Sequence, residues 1–345
     1  MTSRSRILTA FRLGVPDRVP VSPFISMGWL KQAGELGDAI LQQTDPLIDV
    51  GLGCDPICGI GLDKETREEG HDTVTIIHTP KGDLTQRFRR TEVTSASVEC
   101  FLKTPEDAER FFSIPYVPPP VEATSFLAHK AQIGEDGFVL AGMGNAVALP
   151  ASWYSPQDFC LMWADHPEVI EKLTAVAAER LNEFLPRLIE AGVDAVRVVG
   201  GEYVSVQLGP AAFARLVSPH DTELFRRVHA AGGIVYYHNH GKVNAFLEAL
   251  ADLGLDALDP LERPPCGDTD LAEAKRRIGD RVCLVGNLDD MEVIGKVGEA
   301  EMRKLARESL AAAGPGGFVL GGTASGLYTE RMARNFLVMA EVAAG

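Results

Sequence analysis

From residue 137 onward, short apolar runs alternate with amphipathic segments of about ten residues or more, and this alternation limits the fold more than any other feature. Residues 137–141, 194–199, 234–238, 282–285 and 318–320 read as strands, and a further short strand ends just before Glu262. Between and after them, residues 167–191, 210–231, 242–253, 269–278, 299–313 and 330–342 read as helices, the first with Asp165 placed as its N-cap. Strands joined by whole helices run parallel, because a parallel connection needs a long crossover. With Val19-Pro20-Val21 as a first strand, the count fits a (β/α)8 TIM barrel better than an open doubly wound sheet. The glycine-rich phosphate fingerprint that an open dinucleotide-binding sheet would carry is also missing. The expectation is a single barrel domain over 1–345, with residues 30–120 as an insertion decorating it. Inside that insertion, residues 73–78 and 84–89 flank the turn Pro80-Lys81-Gly82-Asp83 and read as a β-hairpin.

Composition narrows the class. A hydrophobic share of 46% with 23% charged residues is that of a globular chain, and no apolar run approaches the ~20 residues needed to span a bilayer. Residues 1–6 lead directly into an amphipathic helix without the apolar stretch of a signal peptide, so a cytoplasmic location is expected. A net charge of −15 argues against nucleic acid, since a polyanion would be repelled. The dense basic run Arg87-Phe88-Arg89-Arg90 reads instead as one charged face of a strand.

Six cysteines in such a chain do not suggest a disulfide framework. Cys54 and Cys58 form a C-x3-C pair with no second pair to complete a zinc knuckle, and Cys100, Cys160 and Cys283 read as buried fillers. Cys266 differs, because it follows Glu262 in a Pro/Gly loop.

Barrel chemistry sits at the C-terminal ends of the strands. Those ends carry Gly142-Met143-Gly144-Asn145, Gly200-Gly201-Glu202-Tyr203, His238-Asn239-His240, Glu262, Gly286-Asn287 and Gly321-Gly322-Thr323. Successive strand side chains alternate faces, so His238 and His240 project the same way. Two imidazoles with a carboxylate and a thiol are zinc-type donors, which makes His238, His240, Glu262 and Cys266 the candidate ligands. An H-x-H taken alone also occurs as ordinary polar loop residues. Glu202 is a candidate proton donor or substrate-binding carboxylate, against a solvated loop glutamate. His220, after Ser218-Pro219 at a helix start, could cap the helix or line the site. Tyr203, Asn239, Asn287 and Thr323 are candidate substrate-orienting groups.

These motifs resemble the uroporphyrinogen decarboxylase superfamily over nearly the whole chain. The resemblance is carried by Ile7-Leu8-Thr9-Ala10-Phe11-Arg12 with Pro16-Asp17-Arg18-Val19-Pro20-Val21, by Gly192-Val193-Asp194, by Leu216-Val217-Ser218-Pro219, and by residues 228–233 leading into the histidine strand. It implies a TIM barrel. The arginine-rich R-Q-A-G-R segment with which true uroporphyrinogen decarboxylases hold their polycarboxylate is replaced here by residues 27–34, which contain no arginine. The resemblance therefore points to the branch similar to zinc-dependent methyltransferases that exchange methyl groups with a corrinoid protein. That branch uses H-x-C and a last-strand cysteine, where this chain has His240 and Thr323. Cobalamin-independent methionine synthase, a distant relative in fold, has a glutamate 24 residues after its histidine, the interval from His238 to Glu262.

The function expected from the resemblance is metal-dependent methyl transfer between a methylated or methoxylated small molecule and a corrinoid or thiol acceptor. The cofactors it implies are zinc and a corrinoid supplied by a partner protein. Expected partners are the small-molecule substrate and that corrinoid protein, with a homodimer as the candidate assembly and no nucleic acid or membrane. A decarboxylase acting on a smaller substrate, and a non-catalytic binding barrel, are the two alternatives.

Overall fold

The computed structural model describes residues 1–92, 94–324 and 329–345. Its strands are β1 (Val21–Ser22), β2 (Leu47–Gly51), β3 (Lys64–Glu69), β4 (Asp72–Ile77), β5 (Leu84–Arg90), β6 (Ser95–Glu99), β7 (Phe138–Gly144), β8 (Ala195–Val199), β9 (Ile234–His238), β10 (Ala257–Asp259), β11 (Cys283–Asn287) and β12 (Phe318–Gly321). Eight of them form one parallel sheet in the order β1-β12-β11-β10-β9-β8-β7-β2. The two edges meet just beyond β1. There Phe24 bridges Leu47, Ile25 N–H donates to Leu47 O at 3.0 Å, and Leu47 N–H donates to Pro23 O at 3.0 Å. The chain is a (β/α)8 TIM barrel.

Alternation along the strands sorts their side chains between lumen and helix layer. Leu47, Phe138, Leu140, Ala195, Tyr236, Ala257, Cys283, Val285 and Val319 pack together inside the barrel. The helix Ser3–Phe11 closes the bottom by adding Ile7, Ala10 and Phe11 to them, with Phe11 edge-on to Phe138 at 5.7 Å between ring centroids. Its register is fixed by charge. Arg6 pairs with Asp17 at 2.7 Å and with the fully buried Asp45 at 2.5 Å, and Arg4 pairs with Asp194 just ahead of β8. The intervening strand residues, such as Val196, Val198, Val235, Tyr237, Leu258 and Leu284, pack outward against the helices.

Several boundaries differ from the sequence expectation. The segment 30–120 is not wholly an insertion, because Leu47–Gly51 within it is the second barrel strand, paired in parallel with β7. The charge at Asp49 interrupts its apolar run and hides it. The expected hairpin is present as β4 and β5, but it belongs to a four-stranded antiparallel sheet, β3-β4-β5-β6. Arg89 and Arg87 on β5 face carboxylates, Arg89 pairing with Asp72 at 2.6 Å and Arg87 with Glu69 at 2.9 Å.

Asp165 does not cap the long helix Pro167–Glu190. It ends the preceding helix Pro156–Asp165, and the cap position is His166. The expected helix over 210–231 is two, Pro210–Leu216 and Ser218–Ala230, because Pro219 lacks the N–H and cannot continue the first. Residues 242–253 form a 3₁₀ turn, Asn244–Phe246, followed by the helix Leu247–Asp252. All six cysteines are free thiols, and Cys160 is half-buried rather than a core filler. Among the described residues no helix is long and apolar enough to cross a membrane.

Candidate active site at the barrel mouth

Two residues beyond the apolar lumen layer, the same inward register carries a different set: Asp49, Gly142, Arg197, His238, Asp259 and Gly321. A barrel that is sealed by hydrocarbon below thus ends above in a ring of charged, imidazole and glycine residues. A small cavity opens among Ser22, Phe24, Tyr236, Asp259, Asp290 and Ala324.

His238 closes β9 and is nearly buried. Its Nδ1–H donates to Asp259 at the end of β10, with both carboxylate oxygens at 2.9 Å, so Nε2 is the nitrogen left for a ligand. His240 lies with its ring perpendicular to that of His238, at 4.4 Å between centroids, and its Nδ1 pairs with Glu262 Oε1 at 3.0 Å. Glu262 Oε2 accepts Gly241 N–H at 2.6 Å. Burial alone would push the Glu262 carboxyl up. The bonds from His240 and Gly241 reverse this, leaving Glu262 below and His240 above their ordinary values.

Three residues not singled out from sequence belong to this layer. Asp259 orients His238. Asp49 meets Arg197 Nη1 at 3.4 Å across the unsubstituted Gly142, where a Cβ would stand 2.4 Å from Asp49 Oδ1. Burial raises the Asp49 pKa, opposed by the charge of Arg197. Tyr236, one layer down, is held far above the ordinary tyrosine range by burial and by Asp259. The signal that could have found these residues is a charged side chain two places after a lumen-facing apolar one.

Of the residues singled out from sequence, the structure brings together His238, His240 and Glu262. Cys266 is exposed on the following loop. Among the described residues no three His, Cys, Asp or Glu side chains are gathered as a metal shell; the donors stand as carboxylate–imidazole pairs. Asn239 turns away from the histidines, its Nδ2 donating to Ser205 Oγ at 3.0 Å, while its buried Oδ1 has no partner. Glu202 begins the short helix Glu202–Ser205 and accepts Gly200 N–H at 3.0 Å, and its charge acts on His240. Tyr203 is half-buried, and burial raises its pKa. His220 sits in the first turn of Ser218–Ala230, where burial lowers its pKa. Asn287, expected to orient the substrate, turns instead toward the helix layer: its Oδ1 accepts from Arg263 Nε at 3.1 Å, the same guanidinium donates to Ser309 on the helix Glu299–Ala313, and the buried Asn287 Nδ2 has no partner. Thr323 Oγ1 accepts Asp290 N–H at 3.3 Å.

A second polar network lies on the outer face of the same strands. Asp221, fully buried, accepts Asn145 Nδ2 and Tyr237 Oη, both at 2.9 Å. It ties the loop after β7 to β9 from behind the site.

A family model described as uroporphyrinogen decarboxylase (URO-D) matches residues 77–344. The methylcobamide:CoM methyltransferase MtaA of Methanosarcina barkeri is 27% identical over 294 residues, covering 83% of this chain and 82% of that protein. Uroporphyrinogen decarboxylase of Nocardia farcinica is 31% identical over 151 residues, 43% of this chain and 40% of that protein. In fold, the chain is similar to a methyltransferase from Methanosarcina mazei, with a TM-score of 0.66 at 17% identity over 99% of this chain and 98% of the other.

Proposed function

The chain belongs to the uroporphyrinogen decarboxylase family, and within it we propose that it is a metal-dependent methyltransferase, moving a methyl group between a methylated or methoxylated small molecule and a corrinoid or thiol acceptor. The observation that carries this reading is the His238–Asp259 pair. A carboxylate on Nδ1 fixes the tautomer and aims Nε2, the arrangement used by metal-ligating histidines. The similarity to a methyl-transferring relative over four-fifths of the chain supports it. So does the helix Met27–Gln32, whose one cation, Lys31, is exposed and offers no arginine clamp for a polycarboxylate.

The donor types fit zinc. His238 and His240 would hold it, with Glu262 as the carboxylate ligand and Cys266 or water completing the shell. When bound, zinc supplies a Lewis acid that polarises the heteroatom bearing the methyl group. Asp259 keeps His238 in the ligating tautomer. Glu202 hands a proton to the departing heteroatom, and Tyr203 and Thr323 orient the substrate. Its corrinoid comes on a partner protein in the cytoplasm, and the chain works as a homodimer.

The test is to mix the protein with zinc, methoxylated and methylated donors and a Co(I) corrinoid, and to follow the visible spectrum. Growth of the methyl-Co(III) bands supports the reading. An unchanged spectrum together with carbon dioxide release from a carboxylated substrate would give the site to decarboxylation.

A further inference from the structure

The inward layer holds one arginine, and it is incompletely used. Arg197 projects from β8 with its side chain 12% exposed, its guanidinium over the Phe24 ring at 4.8 Å. Its contact with Asp49 is a single approach at 3.4 Å, near the outer limit of a hydrogen bond. Nε is buried and has no acceptor. A buried N–H without an acceptor is a deficit that a ligand oxygen can fill.

Asp49 does not fill it. Burial raises the proton affinity of that carboxyl, and Asp49 reaches only one edge of a five-donor cation. The small cavity is lined by Phe24, on which Arg197 stacks, and by Asp259, which holds His238. A planar two-oxygen anion matches a guanidinium edge as no neutral group does.

We infer that Arg197 forms a carboxylate-binding subsite beside His238, so that the small-molecule substrate carries a carboxylate as well as the group acted upon at the histidines. The inference rests on the barrel mouth being the ligand site, as proposed above, but its test requires no turnover. Asp49 serves as the resident counter-charge that the ligand carboxylate displaces from Arg197.

The experiment is titration of the full-length protein with acetate, benzoate and methoxybenzoate, and with methoxybenzamide as the neutral control, followed by calorimetry and by thermal stabilisation. Methoxybenzoate is expected to bind, and the amide roughly tenfold or more weakly. Arg197→Gln should lose the difference between acid and amide, whereas Arg197→Lys, which keeps the charge, should retain part of it. Asp49→Asn removes the competing anion and should tighten carboxylate binding several-fold, an effect a purely structural ion pair would not give. Absence of carboxylate binding to the wild-type protein would overturn the subsite, as would equal binding to wild type and a folded Arg197→Gln. Carboxylate binding that depends on Arg197 without any methyl transfer would uphold the subsite and count against the reaction, so the two failures are distinguishable.

Discussion

Asp259 accepts the Nδ1–H of His238 through both carboxylate oxygens at 2.9 Å, joining the last residues of β9 and β10 into a fixed pair at the barrel mouth. The pair sets the tautomer of the buried histidine and directs Nε2 away from the carboxylate.

If His238 is a metal ligand, the two members of this pair should fail differently. His238→Ala should lose most of its zinc while keeping a wild-type circular dichroism spectrum, because a residue at the mouth adds little to the core. Asp259→Asn should keep the ligand but weaken zinc binding about 10- to 100-fold, read by chelator competition. Wild-type zinc affinity in both variants would remove His238 from the metal site.

Gly142 leaves room for the contact between Asp49 and Arg197, since a Cβ at this position would lie only 2.4 Å from Asp49 Oδ1. Gly142→Ala must displace that carboxylate. A loss of about 1–3 kcal/mol in urea unfolding is expected, the range for overpacking a filled site. An unchanged unfolding midpoint would show that Asp49 has somewhere else to go.

Asp221 should make stability depend on pH in an unusual direction. Burial pushes its carboxyl up to about 7, against the opposing bonds from Asn145 and Tyr237. The unfolded carboxyl titrates near 3.8, so between these values the folded chain holds a proton that the unfolded chain has released. The group therefore favours folding below the lower value, and that contribution is lost as pH rises through the upper one. At about 1.4 kcal/mol per pH unit, Asp221→Asn should gain a few kcal/mol relative to wild type from about pH 4 to about pH 8. Parallel stability curves for the two proteins would contradict the assignment.

The N-terminal helix closes the barrel floor through Phe11, which is 3% exposed against Phe138 and Tyr236. Phe11→Ala opens a void among lumen side chains and should destabilise the chain by about 3–5 kcal/mol. A much smaller loss would mean that the helix is not a fixed part of the core.

The parts of this fold that are legible in the sequence are those whose signal is local. The strands at Phe138, Ala195, Ile234, Cys283 and Phe318 are apolar runs bounded by helices, and the H-x-H ends one of them. β2 is hidden because Asp49, whose side chain faces the mouth, breaks the run that would mark it. Asp259 is masked by Glu262, three residues later, because the interval from His238 points to the more distant carboxylate. The structure gives each histidine its own acid: Asp259 to His238 and Glu262 to His240. Asp49 and Arg197 are 148 residues apart, and the strand order that sets β2 and β8 on either side of β7 brings them together. No spacing along a single chain encodes such a contact. Asn239 shows the reverse case. It stands between two residues of the site in sequence, yet strand alternation sends its side chain to Ser205 on the other side.

The most direct test is the rate of methyl-Co(III) formation from a methylated donor and a Co(I) corrinoid, measured with zinc-loaded protein, with chelator-stripped protein and with stripped protein given zinc back. Methyl transfer that disappears on stripping, returns with zinc, and never returns in His238→Ala is the expected result. Methyl transfer at an undiminished rate in the stripped protein, or in His238→Ala, would contradict a metal-dependent methyltransferase centred on His238.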